Sequence, residues 1–253
     1  MTNVDSTIMV DHYRGAATAA AGSNAYRGLQ IHALPGLHEF LGDLVVRHIP
    51  GGASVLDLAA GTGAMSLRLS DLGYCVEATD YVEESFKLND IPFKPADLNS
   101  DFSTLFAGKR YQAIMASEIV EHLENPRHFF RQCSEILDMG GHVVLSTPNP
   151  HNNGSMATFV RTGHFLWFSD ADYSAFGHIS PLTRWQLEHC TKEAGFAEVW
   201  SGSFGRGASQ ISGFTSKLLA RAIALLSGVP RKWRGEIYVC IVRKVSDLSH
   251  GTS

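Results

Sequence analysis

Hydrophobic and polar positions along the chain form two alternating patterns. Short apolar runs predict buried strands, and they fall at 54–58, 75–79, 93–96, 112–116 and 142–146. Between these runs the apolar residues recur at helical spacing, which predicts helices at 36–49, 63–72, 83–88 and 181–194, with a further helical stretch that restarts at Pro126 and ends at Ile136. Strands that alternate with helices in this way are typical of a parallel sheet with helices on both faces.

Two segments interrupt the alternation. Residues 148–180 hold six aromatic side chains among Gly, Asn, Ser and Asp, which favours an ordered functional loop over a disordered one. An apolar helical stripe at 211–226 then separates the last two predicted strands, at 197–204 and 236–243. The expected organisation is an N-terminal arm or cap at 1–35, one domain at 36–245 with lid insertions at about 148–180 and 205–234, and a flexible tail at 246–253.

Composition narrows the function classes. The chain has 253 residues and a formal net charge of −4, which makes nucleic acid an unlikely partner. Its four cysteines lie far apart without CxxC spacing, which predicts small buried side chains in a reducing compartment. No stretch has the pattern of a secretory signal or a membrane span, so a cytoplasmic protein is expected.

The most informative segment is the turn after the first predicted strand. Asp57 lies near the end of that strand, and Gly61 and Gly63 follow in the turn that opens the next helix. Glycines allow a ligand to approach the backbone closely, and a nucleotide then binds at the carboxyl edge of the sheet. A carboxylate at Asp57 suits a cationic ligand better than a pyrophosphate. Asp80 ends the next strand about 20 residues later, where a carboxylate can accept hydrogen bonds from a ribose diol.

The successive segments VLDLAAGTGAMSLRL, VEATD, PADLN, YQAIMASEIVEHL and GGHVVLSTPNP resemble the motifs of class I S-adenosylmethionine-dependent methyltransferases, from about Gly36 to Phe204. The resemblance implies an α/β, Rossmann-like, seven-stranded, mostly parallel sheet whose last strand is antiparallel. Ala59 stands where the family often has its first glycine. The cofactor site that the resemblance implies consists of Asp57, Ala59, Ala60, Gly61, Gly63, Asp80, Tyr81, Asp97, Leu98 and Ser117.

By that resemblance, Gly61 and Gly63 hold the methionine moiety, Asp80 binds the ribose hydroxyls and Tyr81 lies against the adenine. The adenine amino group is expected to contact Asp97, with Leu98 beside it, and Ser117 is expected near the sulfonium.

A second cluster follows the fourth strand. Glu118 and Glu121 are three residues apart and can share a helical face; His122 is adjacent, and His178 opens a later helix. Two carboxylates and two imidazoles suit a divalent ion such as Mg, Mn or Zn. The ExxEH run also resembles two methyltransferase branches, one acting on ubiquinone precursors and one on the 2′-hydroxyl of small RNAs. Without a metal, Glu121 and His122 are expected to shape the floor of the site, and His122 or His178 to act as a general base.

Several functions remain open at this stage. The leading interpretation is O-methylation of a hydroxyl on a small molecule, a sugar or a lipid-linked saccharide. The alternatives are RNA 2′-O-methylation, a nicotinamide-dependent reductase and a non-catalytic module that binds the cofactor. Residues 211–234 combine an apolar stripe with Arg231, Lys232, Trp233 and Arg234, which indicates a possible peripheral contact with a membrane. The sequence gives no indication of the oligomeric state.

Overall fold

The computed structural model describes residues 24–207 and 210–248. The described part begins with a hairpin, β1 (Ala25–Tyr26) and β2 (Leu29–Gln30), which leads into α1 (Leu37–His48). The main sheet has seven strands: β3 (Ser54–Leu58), β4 (Cys75–Asp80), β5 (Phe93–Pro95), β6 (Tyr111–Ser117), β7 (Leu137–Pro148), β8 (Phe196–Phe204) and β9 (Ile237–Lys244). The remaining helices are α2 (Ala64–Asp71), α3 (Pro126–Ile136), α4 (Asn153–Thr162), α5 (Asp170–Phe176), α6 (Arg184–Glu193) and α7 (Phe214–Leu226). Short 3-10 turns lie at Glu83–Ser85, Phe102–Phe106, Val120–His122 and Arg231–Trp233.

The strand order is β5-β4-β3-β6-β7-β9-β8. Strands β3 to β7 are mutually parallel, and β9 runs antiparallel to both of its neighbours, β7 and β8. This confirms the expected mostly parallel sheet with an antiparallel last strand. The order reverses between β3 and β6, and such a switch point opens a crevice at the carboxyl edge of a sheet.

Each face of the sheet buries its own apolar cluster, because successive side chains of a strand point to opposite faces. Leu56 and Leu58 of β3 join the cluster beneath α3 and α6, whereas Val55 joins the cluster beneath α1 and α2. Phe129 and Phe130 of α3 are fully buried in the first cluster. Helices therefore cover both faces, as the unbroken apolar runs predict.

The segment predicted as a helix at 83–88 is largely extended. Only Glu83–Ser85 forms a 3-10 turn, and Phe86 already has an extended backbone. The Phe86 ring stacks on Phe93 of β5 with 4.6 Å between the ring centroids. This contact holds Phe86 against the edge strand β5, so tertiary packing overrides the helix that the spacing of apolar residues at 83–88 predicts.

Residues 148–180 were expected to form a loop, but most of them are helical. The Asn152 side chain caps α4 by accepting a hydrogen bond from the Ser155 amide, and Ser169 and Asp172 form a reciprocal capping box at the start of α5. The helix predicted from Pro181 begins at Arg184, after the Thr183 cap. These helices are short and their apolar residues are few, so capping residues mark them better than periodicity does.

The terminal segments are only partly within the described residues. Residues 1–23 of the expected arm and 249–253 of the expected tail lie outside them. The start of the tail is held in place, because the Ser246 amide donates to the Gly195 carbonyl and Leu248 packs against the core. Cys133, Cys190 and Cys240 are buried as expected, but Cys75 is exposed. It is the first residue of β4, at the end of the strand that reaches the surface. In the part of the chain that the structure describes, no helix has the length and apolar character needed to cross a membrane.

In the main sheet, the non-glycine residues Ala59 after β3 and Glu118 after β6 adopt the left-handed backbone region, with φ of 59° and 52°. For a residue with a Cβ atom, this backbone conformation costs about 1–2 kcal/mol of conformational free energy. Ala59, which stands where the family often has glycine, is therefore strained in the turn that follows β3.

Replacing Ala59 with glycine should stabilise the protein. We expect Ala59→Gly to raise the free energy of unfolding by about 0.5–1 kcal/mol, because relief of the strained backbone outweighs the added entropy of the unfolded chain. The matched control is Ala222→Gly in the interior of α7, which should lower it by about 0.5–1 kcal/mol. Chemical denaturation measures both; a destabilised Ala59→Gly protein would contradict the strain.

Candidate active site

A cavity of about 1180 Å³ lies at the carboxyl ends of β3, β4 and β6, where the strand order reverses. Three residues of the segment 148–180, which is called the lid segment below, line its wall: Trp167, Phe176 and His178. The sequence-predicted site residues that line it are Asp57, Ala59, Ala60, Gly61, Asp80, Ser117, Glu118, His122 and His178.

The turn between β3 and α2 forms the cavity floor. The Ala60 amide donates to the Thr79 carbonyl at 3.0 Å, which ties the turn to β4. Gly63 caps α2 with φ of 89°, and a Cβ atom there would lie 2.8 Å from a Leu88 methyl carbon. Only glycine fits this backbone and this space, so Gly63 shapes the turn although it does not line the cavity itself.

Asp80 is anchored through both of its carboxylate oxygens. One accepts the Gly61 amide at 2.8 Å and the other accepts the Val82 amide at 2.9 Å. Each oxygen can accept a further hydrogen bond, so the carboxylate is oriented and still able to receive a diol. Burial raises the pKa of Asp80, and these amide hydrogen bonds oppose that rise.

Asp57 lies deeper, with 2% of its surface exposed. One carboxylate oxygen accepts the Ser66 hydroxyl of α2 at 2.5 Å. Burial raises the pKa of Asp57 to about 7. No cationic side chain among the described residues contributes to the pKa shift of Asp57. A buried carboxyl of this kind is suited to a cationic ligand, since the ligand's charge would favour the ionised form.

The acidic-histidine cluster comes together on the other side of the cavity, where His122 and His178 are part of the lining whereas Glu121 is fully buried and is not. Glu121, His122 and His178 each offer one ligand atom, and these three atoms lie within 4.8 Å of one another. One Glu121 oxygen accepts the Thr147 hydroxyl at 2.9 Å, and the other, although buried, has no hydrogen-bond partner among the residues that the structure describes. The 3-10 turn that bears Glu121 holds the lid segment, because the Glu121 carbonyl accepts the amide of Ile179.

Glu118 does not belong to that group of three. Its carboxylate accepts the Ser146 hydroxyl at 2.8 Å, and the same hydroxyl lies 3.1 Å from the hydroxyl of Ser117. Burial raises the pKa of Glu118 to about 7. Burial also raises the pKa of Glu121 well above its ordinary value, and the charge of Glu118 adds to that effect. The expectation that all four side chains converge therefore holds for three of them, while the left-handed backbone of Glu118 points its carboxylate to Ser146.

The two histidines are in edge-to-face contact, with 4.8 Å between the ring centroids. Burial lowers the pKa of His122 to about 3 and also lowers the pKa of His178, so both rings are neutral near neutral pH. Nδ1 of His178 lies 2.8 Å from the Trp167 carbonyl, which can only accept. Nδ1 therefore carries the hydrogen, and Nε2 of His178 keeps its lone pair as an acceptor.

Besides Gly63, three predicted cofactor residues are not part of the cavity lining, namely Tyr81, Asp97 and Leu98. Asp97 is exposed, and its carboxylate accepts the Asn99 amide at 2.9 Å. Leu98 is buried in the core cluster that contains α3. Their expected contacts with adenine stay predictions.

The sequence reasoning missed the N-terminal wall of the cavity. Asn24, the segment 30–35 and His38 all line it. The Thr62 hydroxyl in the glycine-containing turn donates to the Gln30 carbonyl at 2.7 Å, which fixes the hairpin over the turn. Nδ1 of His38 is buried without a hydrogen-bond partner, and burial lowers the pKa of His38 to about 4. The strands of this hairpin have two residues each, too few to give a periodic signal.

Asp57 should make stability depend on pH. Its pKa rises from 3.8 to about 7 on folding, so between these values the folded state retains a proton that the unfolded state has lost. Stability then falls as pH rises through this window, by about 2–4 kcal/mol at most. We expect the free energy of unfolding of the wild type, measured against Asp57→Asn by chemical denaturation, to decrease across the window. The control Asp138→Asn changes an exposed carboxylate, and its curve should parallel the wild type; a parallel Asp57→Asn curve would refute the assignment.

Comparison with known proteins identifies the family of this chain. A family described as a methyltransferase domain matches residues 29–201, more than half of the chain. The ubiquinone biosynthesis O-methyltransferase of Leptothrix cholodnii is 27% identical over 53% of this chain and 62% of its own length. The chain thus spans less than two thirds of that relative. The Burkholderia thailandensis protein of the same name is 24% identical, with 70% of this chain and 74% of the relative covered.

Solved structures at lower identity share the fold. An S-adenosylmethionine-dependent methyltransferase from Archaeoglobus fulgidus has a TM-score of 0.57 at 20% identity, with 82% of this chain and 94% of that chain covered. The [4+2]-cyclase SpnF has a TM-score of 0.59 at 16% identity, with 93% of each chain covered. The fold therefore does not decide the reaction, whereas the family match over residues 29–201 does. This chain belongs to the class I S-adenosylmethionine-dependent methyltransferases.

Proposed function

We propose that this methyltransferase transfers the methyl group to a hydroxyl oxygen of a small acceptor, and that His178 accepts the hydroxyl proton. The observation that carries the proposal is that one cavity is lined both by the glycine-containing turn with Asp80 and by His178. The relatives in ubiquinone biosynthesis are O-methyltransferases by name, which supports oxygen as the acceptor atom.

The cofactor would lie along the carboxyl edge of the sheet. Asp80 would receive the ribose diol, since its oxygens are held by the Gly61 and Val82 amides and keep free lone pairs. Asp57, with its raised pKa, would ionise beside the cationic methionine end. Both carboxylates are positioned by backbone or by α2 before any ligand arrives, which lowers the cost of ordering the site.

The chemical step needs an in-line arrangement and removal of one proton. The bound cofactor would supply its sulfonium methyl group to the acceptor oxygen and leave as S-adenosylhomocysteine, with the electron pair of the broken carbon–sulfur bond on sulfur. The hydroxyl proton passes to Nε2 of His178, whose Nδ1 is held by the Trp167 carbonyl. His178 suits this role better than His122, whose pKa of about 3 makes it a weak base.

The acceptor side of the cavity is aromatic. Trp167 and Phe176 line it, and Phe168 and Phe176 contact the His178 ring with centroid distances of 5.6 and 5.7 Å. Such walls pack on flat aromatic rings and on the apolar faces of sugars. A phenol-like or sugar hydroxyl, free or lipid-linked, fits this surface, and burial there excludes water from the reacting atoms.

A divalent ion is a second way to activate the hydroxyl. Glu121, His122 and His178 would hold it, and the unpartnered buried oxygen of Glu121 fits a ligand role. Two imidazoles and one carboxylate suit Zn or Mn better than Mg, which prefers oxygen ligands. Such an ion would act as a Lewis acid that lowers the pKa of the acceptor hydroxyl.

Cofactor binding should depend on Asp80. We expect Asp80→Ala to weaken the affinity for S-adenosylhomocysteine by about 2 kcal/mol, roughly 30-fold, because hydrogen bonds to a charged group are lost. Isothermal titration calorimetry measures the loss. Asp138→Ala, at an exposed carboxylate outside the cavity, should bind like the wild type. Equal affinity of Asp80→Ala and the wild type would contradict the ribose assignment.

Methyl transfer should depend on Nε2 of His178. In His178→Asn the amide nitrogen can still donate to the Trp167 carbonyl, while the Nε2 acceptor is lost. We expect kcat/KM to fall about 10²–10⁴-fold with unchanged affinity for S-adenosylhomocysteine. The assay uses tritium-labelled cofactor with panels of phenols, sugar nucleotides and lipid-linked saccharides. The matched control is His189→Asn, because His189 also contacts a backbone carbonyl, that of Trp185, but lies outside the cavity lining.

Chelation separates the two activation mechanisms. If His178 is the general base, activity survives exhaustive dialysis against EDTA. Loss of activity that a single added divalent ion restores would replace the base mechanism with the metal-assisted one. If none of the acceptor panel is methylated by the wild type while S-adenosylhomocysteine still binds, the small-acceptor proposal fails.

A further inference from the structure

The two lid insertions meet in a layer of two helices. Helix α7 packs against α4 through a small cluster formed by Ala157, Ile211 and Ala220, with Leu219 and Ile223 beside it. A contact between the Arg161 guanidinium and the Ser216 hydroxyl also joins the two helices. One face of α7 is thereby buried, and the opposite face is turned away from the domain.

That outward face is strongly apolar. Phe214, Leu218 and Leu225 are spaced i, i+4 and i+11 and therefore share one side of α7. Their exposed fractions are 81%, 56% and 86%, and that of Leu226 at the helix end is 87%. Arg221, at i+7, lies on the same side of the helix between Leu218 and Leu225. Isolated exposed apolar residues are common, but several large ones on one helix face mark an interaction site.

Basic residues surround these apolar residues. Lys217 and Arg221 are exposed on α7, and Arg231 and Lys232 are exposed in the following 3-10 turn. The whole segment 205–235 contains six basic residues and no Asp or Glu, although the chain as a whole carries a net charge of −4. The positive charge is thus concentrated where the apolar residues are exposed. The α7 surface denotes the outward face of this helix together with the 3-10 turn after it.

We propose that the α7 surface docks on an anionic lipid bilayer. Exposed Phe and Leu side chains gain by entering the boundary between headgroups and acyl chains, while lysine and arginine lie against the anionic headgroups. A bilayer satisfies both features at once, and it requires no spanning helix. This inference goes beyond the proposed function, since it concerns a surface outside the cavity.

Charge argues against a symmetric dimer through the same surface. In a two-fold contact each copy presents the same patch, so the basic residues of both copies would face one another. Like charges at close range are unfavourable, and no acidic residue within 205–235 can offset them. Nucleic acid would match the charge but would leave the leucines without an apolar environment.

The geometry also connects the α7 surface to the cavity wall. The Ser155 hydroxyl of α4 accepts the Leu166 amide at 3.1 Å, next to Trp167 in the cavity lining. Arg234 bonds the carbonyls of Ala224 and Val229 at 2.8 and 2.7 Å, which holds the 3-10 turn against the end of α7. Hydrogen bonds therefore connect the α7 helix to the 3-10 turn after it, and connect α4, on which α7 packs, to the cavity wall.

The test is co-sedimentation of the full chain with vesicles. We expect binding to phosphatidylcholine mixed with phosphatidylglycerol, weak binding to phosphatidylcholine alone, and loss of binding at high salt. Leu225→Ser and the double variant Lys217→Gln/Arg221→Gln should each lower the vesicle partition coefficient about tenfold or more. All variants should keep the wild-type melting temperature and affinity for S-adenosylhomocysteine, because none of these residues lines the cavity.

Matched controls remove similar groups elsewhere. Val46→Ser changes an apolar residue of α1 that is 55% exposed, and Arg131→Gln/Lys192→Gln removes two exposed cations from α3 and α6. Both should bind vesicles like the wild type. The proposal is overturned if the wild type stays in the supernatant with mixed vesicles, or if the controls lose as much binding as the α7 variants. It is also overturned if Leu225→Ser only dissociates a dimer, or if Lys217→Gln/Arg221→Gln abolishes binding to a short RNA instead of vesicles.

Discussion

The site is organised by the burial of four carboxyl groups at one edge of a parallel sheet. Asp57, Asp80, Glu118 and Glu121 all follow or end strands β3, β4 and β6, and burial raises the pKa of each. Removing a carboxylate from water is costly unless a proton, hydrogen bonds or a cation compensate. The surrounding structure supplies hydrogen bonds from backbone amides, Ser66, Ser146 and Thr147. None of the ion pairs between described residues involves these four carboxyl groups. This carboxyl edge of the sheet therefore suits ligands that are cationic or that carry hydroxyl groups.

Backbone strain is concentrated at the same edge. Ala59 and Glu118 take left-handed backbone angles directly after β3 and β6, the two strands that flank the switch point. At Ala59 the turn must bend sharply so that the Gly61 amide reaches Asp80. At Glu118 the bend sends the carboxylate toward Ser146 and leaves the next turn free to place Glu121 beside the histidines. Strain of this kind persists where surrounding contacts fix the chain, which is typical of binding sites.

The sequence was sufficient to predict the sheet and to place Asp57 and Asp80 at its carboxyl edge, because the ends of the apolar runs mark the ends of the strands. Asp57 and Asp80 lie where those runs predict, whereas the cavity wall from Asn24 to His38 was missed, since two-residue strands carry no pattern. The predicted helix at 83–88 failed because Phe86 stacks on Phe93, a contact distant in sequence. The separation of Glu118 from the histidine cluster depends on one backbone angle, which residue spacing alone does not determine.

The position of β9 brings the two insertions, 148–180 and 205–234, together at the end of β7. Because β9 inserts between β7 and β8, the segment before it returns beside the end of β7. There the Asn149 side chain donates to the carbonyls of Trp233 and Gly235, and the Asn149 amide donates to that of Glu236. Both insertions are thus anchored at one asparagine, on the far side of β6 from Asp57 and Asp80. Changes in α4, α5 or α7 can alter the aromatic wall of the cavity and the outer surface without disturbing the hydrogen bonds of Asp80; under the proposed function, acceptor choice would then be separate from cofactor binding.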